Sequence, residues 1–333
     1  MAPFRDIRII LNVNSQRNSE SNENDYSLMN TDTKKQHYVW RKYLNPWKLS
    51  PEDRKVWTYI VKTNKVEYIS LMDVAQESYF YKMYKLSPVE IKVCRNFARQ
   101  LPSFVWSFAD TLLKGYEAIS YDMMSETDKR DFALHSIDHM QTNFERMGNP
   151  FLSCRSMDDL KNIKDNYQAV FFLCVQYCRT NKMREVGIEG YDDYPTKRDL
   201  YKKVFPYISL LVATTLGHNL VVGNPNTRYI FVRNETSIPF ITCDQPVINL
   251  KKDDVDEKGF AKDLEFYYPI SPSVAIMISQ NAQLEKYSEI IADESFVEDK
   301  NIKMCENASL FIFANNEEIL KRIMVRRAGI DYD

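Results

Sequence analysis

A chain of 333 residues is long enough to bury a substantial core, as one large domain or as two interlocked ones. Charged residues make up 27% and aromatics 13%, the balance of a soluble globular protein, and a formal net charge of -2 gives no bulk attraction to nucleic acid or acidic membranes. Only eight glycines are present, and they form neither a dinucleotide-binding nor a P-loop fingerprint.

The six cysteines (Cys94, Cys154, Cys174, Cys178, Cys243, Cys305) are scattered and read as reduced thiols of a cytoplasmic protein. Cys174 and Cys178 stand one helical turn apart, but no second pair completes a zinc spacing, so no metal set is assigned. The early apolar run Ile9-Ile10-Leu11 is too short for a signal core or a span. No later apolar segment reads as membrane length, and no membrane partner is expected.

In chain order, residues 5–13 have the β-branched composition of a strand, and 14–36 read as a mobile polar loop. Order returns at His37-Tyr38-Val39-Trp40-Arg41-Lys42-Tyr43-Leu44-Asn45-Pro46-Trp47, whose large side chains need burial. Lys55–Ile60 and Lys65–Ile69 predict a β-hairpin around Thr63-Asn64, with the aromatic segment lying against it. Ser87-Pro88, with Glu90 in the first turn, opens a helical region to about residue 147, interrupted at Leu101-Pro102. Further helices are predicted over Asp158–Thr180 and Lys197–Thr215, the latter broken or kinked near Pro206. The last third reads as strands at 220–222, 228–232, 240–242, 265–268 and 274–278. Closing helices at 296–309 and 316–326 flank a short strand at 310–313. No internal repeat is present. The layout is α+β over 1–333 as a single domain: a small N-terminal β-hairpin, a mostly helical middle and a C-terminal mainly antiparallel sheet.

Chemistry-bearing residues fall in three places. In Pro239–Asn249 an apolar strand runs into Asp244, and Pro246 stops the ladder two residues later. The carboxylate is therefore expected at an opening strand end, a common place for binding and catalytic groups. Gln176, Arg179 and Thr180, at i, i+3 and i+4, are expected to share a helix face that Arg184 extends. A guanidinium pairs bidentately with carboxylates, so Asp244 is the natural partner of Arg179. Two readings stay open. In the catalytic one, Arg179 or Arg184 grips a phosphate or carboxylate while His37 or Asp244 moves a proton. In the structural one, Arg179 and Asp244 form a buried tie between helix and sheet, and His37 caps a backbone group.

The third place is Arg130 to His135, which resembles the Arg-polar-x3-His motif of helical RNases that fold as HEPN domains. It would act on a ribose 2′-hydroxyl and a phosphate without metal. An exposed, charged helix face explains the same residues. His135 and His139 stand one turn apart, as a metal pair would, but no third ligand is identifiable. His218 reads as a helix-end residue beside Gly217. Basic pairs such as Arg41-Lys42 and Lys202-Lys203 are spread out, and would suit nucleic acid only if gathered on one face with their aromatic neighbours.

Several segments together resemble one bacterial family, the domain of unknown function DUF4238. Its His-Tyr-Val-Pro-like signature matches His37–Trp47, with Trp40 in place of proline. A Trp-x-Tyr strand matches Trp57–Tyr59, and an alanine-to-tyrosine segment matches Val74–Tyr81. Gln-x-x-Arg-Thr matches Gln176–Thr180, Thr-x-Asp-x-Pro matches Thr242–Pro246, Pro-x-Ser-Pro matches Pro269–Pro272, and a late-helix Asn matches Asn307. The resemblance covers roughly residues 36–315 and implies a bacterial or phage origin and an intracellular setting, with no chemistry of its own. The site drawn from it joins His37, Asp244 and Arg179 with Gln176, Thr180, Arg184 and Asn307. By analogy with the company such bacterial domains keep, the expected function is an effector of an anti-phage defence or toxin-like module. It would act as a nuclease or phosphotransfer enzyme on nucleic acid or nucleotide, with a protein partner from the same operon. The alternative is a non-catalytic regulatory module that binds an anionic ligand or a partner. No cofactor is named.

Overall fold

The computed structural model describes residues 35–121, 124–164, 166–189, 195–254, 263–281, 284 and 288–327. The strand expected over 5–13 and residues 14–34 of the expected loop lie outside them. The loop's last two residues, Lys35 and Gln36, instead belong to a strand, β1 (Lys35–His37). β2 (Lys55–Ile60) and β3 (Lys65–Ser70) form the predicted hairpin, turning where Asn64 takes φ 53°, a left-handed conformation that Asn tolerates better than most residues. β4 (Gln76–Ser78) returns to pair antiparallel with β1.

The helical middle begins with α1 (Pro88–Gln100). Its start is the expected one: the Ser87 hydroxyl accepts from Glu90 N, and the Glu90 carboxylate accepts from Ser87 N. α2 (Trp106–Ser120) and α3 (Glu126–Met147) follow, then the short α4 (Asn149–Ser153) and α5 (Met157–Lys164). The single helix predicted over 158–180 is divided, because Asn166 caps a new helix, α6 (Tyr167–Cys178), through Ala169 N. From Ala169 to Gln176 every residue of α6 is buried, so this stretch of the helix has no solvent face.

After α7 (Asn181–Glu189) comes α8 (Pro195–His218), which runs through Pro206 as one helix instead of breaking there. It continues as a π-helical turn, Asn219–Gly223, where a strand was expected at 220–222. A run of three apolar residues fits a buried helix as well as a strand. By length and composition Thr196–Gly223 could cross a membrane, contrary to the expectation that no segment could. Most of it is buried inside the protein, and it packs along α6.

The last third builds two sheets. β5 (Arg228–Asn234), β7 (Ile248–Asn249), β8 (Glu265–Ser271), β9 (Val274–Ser279) and β10 (Glu289–Ala292) order as β10-β5-β9-β8-β7, antiparallel except for β10 on β5. β6 (Thr242–Cys243) is shorter than predicted, because Ile241 N donates to the Asn301 side chain and Phe240 N to Pro272 O. α9 (Glu294–Asn307), β11 (Phe311–Ala314) and α10 (Glu317–Arg327) close the described chain. β11 lies between β2 and β6, so the early hairpin completes a second, four-stranded antiparallel sheet, β3-β2-β11-β6. Residues 41–47 form a 3-10 helix pegged between the sheets. The Tyr43 hydroxyl meets Thr242 Oγ1 at 2.6 Å and donates to Pro269 O, the Trp47 indole donates to Phe240 O, and Tyr43 stacks on Tyr268.

Candidate functional site

Asp244 does not open to solvent. It follows β6 directly and is fully buried, with Oδ1 accepting from Ser309 N at 2.9 Å and Oδ2 from Leu310 N at 2.7 Å. Burial raises its pKa to about 6 against the opposing pull of those N–H groups. Both carboxylate oxygens are thus committed to the turn that precedes β11.

Arg179 is not its partner. α6 ends at Cys178, and Arg179 occupies the C-cap position with φ -104° and ψ 42°, so the expected face shared by Gln176, Arg179, Thr180 and Arg184 does not exist. The buried guanidinium lies over the Tyr81 ring at 3.9 Å, faces Phe144 at 5.8 Å, and donates to Gln141 Oε1 at 2.7 Å. The anticipated Arg179–Asp244 tie is therefore replaced by two separate clasps. Helix termination redirected Arg179, and backbone donors reached Asp244 first.

Each remaining residue of the expected site also has a partner within the chain. His37 Nε2 meets Leu71 O at 3.1 Å, and burial, with the Arg41 cation nearby, holds the imidazole below its ordinary pKa. Gln176 donates to Tyr38 O, and Thr180 donates to the Gln245 side chain, whose amide donates on to Tyr177 O and Val247 O. Arg184 binds Glu77 with both Nη atoms, at 2.8 and 2.6 Å, and lies 4.7 Å from the Phe80 ring centroid. Asn307 ends α9, where it accepts from Lys252 and donates to Lys303 O. No group of three or more His, Cys, Asp or Glu side chains able to hold a metal ion occurs among the described residues. His135 and His139 lie with ring centroids 6.4 Å apart.

A cleft of about 390 Å³ opens elsewhere, between the irregular segment 79–85 and the first turns of α3. Its floor is apolar: Met83, Ile119, Ala133 and Leu134, all buried. Its sides carry Lys82, Lys85, Lys129 and Arg130, and Glu126 is the one carboxylate among the described lining residues, beside Tyr79 and Tyr84. Lys129 is buried and donates to Glu126 Oε1 at 2.7 Å, while Lys82 Nζ stands 5.7 and 5.5 Å from the Tyr79 and Tyr84 ring centroids. Tyr79 has φ 58°, an uncommon backbone for an aromatic residue, at the edge of the cleft. Met83 N bonds Ala133 O, which fixes the segment to the helix.

Of the residues singled out in the sequence, Arg130 lines this cleft and His135 does not. Lys82, Lys85, Lys129, Tyr79 and Tyr84 were missed. A local signal existed in Tyr79-Phe80-Tyr81-Lys82-Met83-Tyr84-Lys85, where four aromatic and two cationic residues are clustered. On its partner surface, some fifty residues on, only Arg130 had drawn notice, and for a different motif.

No curated protein and no solved structure matches the chain. The family model described as protein of unknown function (DUF4238) matches residues 213–318, a span holding the 242–246 turn and Asn307 but not the cleft, Arg179 or His37. Over residues 213–318 the chain is thus similar to that family.

Proposed function

We propose that the protein binds a phosphate-bearing ligand, a nucleotide or nucleic acid, in the cleft between residues 79–85 and α3. The observation that carries the reading is the concentration of Lys82, Lys85, Lys129 and Arg130 around one concave space, with Glu126 the one carboxylate among its described lining residues, in a chain whose net charge is -2. A cavity of this size falls in the ordinary range for small-ligand sites. Cationic side chains beside tyrosine rings suit backbone phosphates with adjoining bases. The Tyr79 backbone supports the same reading, since residues held in such conformations gather at ligand sites.

On this reading the His37, Arg179 and Asp244 groups are scaffold. Asp244 and Arg179 are enclosed, and all three are engaged within the chain, so none is offered to a substrate. The protein is then a binding module, the role expected as the alternative to a nuclease effector. Arg130 in the cleft keeps the ribonuclease reading as the second one.

The test is fluorescence anisotropy with a short, labelled single-stranded oligonucleotide across a salt series. Wild type should bind with an affinity that falls as salt rises. Arg130→Ala should bind more weakly and flatten the log–log slope by about 0.7, the effect of removing one cation from a single-strand phosphate. Equal binding by wild type and Arg130→Ala would remove the cleft from consideration. Cleavage of the RNA form by wild type, abolished in both Arg130→Ala and His135→Ala, would favour the ribonuclease.

A further inference from the structure

We infer that the cleft takes a single nucleotide unit, its base against Tyr84 and its phosphate at Lys129 and Arg130; this rests on the anion-binding reading above. Three features narrow the ligand. First, the lining has two characters. An inorganic anion would leave the apolar floor of Met83, Ile119 and Leu134 unused, and an uncharged apolar molecule would leave the cationic side unused. A nucleotide, a flat heterocycle carrying a phosphate, uses both.

Second, about 390 Å³ lies toward the small end of ligand cavities and accommodates one nucleotide better than a run of them. Duplex is disfavoured by shape. Readout in its grooves calls for a protruding helix or ribbon, and this site is concave. Third, Tyr84 is 40% exposed while also lining the cleft, so its ring is accessible to an arriving base, and Lys82 Nζ beside it adds a cation close to where a phosphate or ring oxygen would lie. Glu126, bonded to Lys129 on the same surface, supplies an acceptor for a ribose hydroxyl or an exocyclic amine. Its charge also favours a monophosphate over a dense polyphosphate. The unit can be a free nucleotide or the unpaired end of a strand, which present the same chemistry.

Isothermal titration of the full chain with inorganic phosphate, adenosine, the four nucleoside monophosphates and a short single-stranded oligonucleotide tests this. At least one monophosphate should bind about tenfold or more tighter than either phosphate or adenosine. Tyr84→Ala should weaken that monophosphate about tenfold and leave phosphate binding unchanged, whereas Arg130→Ala should weaken both. Both side chains are exposed, so the variants are expected to fold. Displacement of the monophosphate by the oligonucleotide at similar concentration identifies a strand end, and its absence a free nucleotide. Phosphate binding as tightly as every monophosphate, or Tyr84→Ala without effect, overturns the nucleotide inference and leaves an anion site standing. Failure of every phosphate-bearing probe to bind overturns the anion-binding reading itself.

Discussion

Asp244→Asn separates a buried, titrating carboxylate from a merely hydrogen-bonded one. Asp244 is enclosed, and its folded-state pKa of about 6 stands above the ordinary 3.8 because burial disfavours the charged form. The folded protein therefore holds this proton more tightly than the unfolded chain does. The associated stability is fully present below the unfolded pKa and is lost as pH rises through about 6. The full difference is about 3 kcal/mol, of which about 2 kcal/mol disappears between pH 4.5 and 7.5. Asparagine has no such proton. It also sets an amide donor against Ser309 N or Leu310 N, so the variant should be weaker by about 1–3 kcal/mol at low pH. Urea unfolding of both proteins at four pH values from 4.5 to 7.5 gives the difference directly. The gap should narrow by about 2 kcal/mol as pH rises, because only wild type loses the linked term. A gap that stays constant, or widens, would refute the raised pKa and the enclosure that causes it.

Two further substitutions test the packing. Arg179→Met removes the donor to Gln141 Oε1 and the cation over Tyr81, and should cost about 1–3 kcal/mol in urea unfolding; a neutral result would mean that neither interaction is formed. Gly148→Ala would drive a Cβ into the Phe172 ring at the junction of α3 and α4, and overpacking of about 1–3 kcal/mol should lower Tm, whereas an unchanged Tm would show that the ring gives way freely.

The legible parts of this fold are those fixed by neighbours in sequence. Ser87, Pro88 and Glu90 announce a capped helix start within four residues, and Lys55–Ser70 carries its own turn. What failed depended on distant backbone. Nothing near Asp244 reveals that Ser309 N and Leu310 N will reach it from the turn before β11. The helical spacing of Gln176, Arg179 and Thr180 is real in sequence, yet it points to a shared face only if the helix continues, and α6 stops at Cys178. The cleft was half legible, because its segment 79–85 clusters aromatic and cationic residues, while the residues it needs from α3, Arg130 apart, are ordinary charges on a helix.

The residues that attracted notice as a site and the residues that line the cleft are physically joined. Arg179 sits at the end of α6 and touches two structures at once: Tyr81, in the segment that forms one wall, and Gln141 and Phe144, on the helix that forms the other. Tyr81 is held in turn by Gln36 Oε1 at its backbone N–H and, through its hydroxyl, by His37 O. The polar groups picked out around His37 and Arg179 thus fix the inner side of the segment whose outer side carries Tyr79, Lys82 and Tyr84. Burying a guanidinium is costly unless its contacts are well made, and removing one partner of such a contact leaves the other uncompensated. A segment of irregular backbone has no ladder of its own to hold its side chains in register. Arg179 supplies that registration from behind.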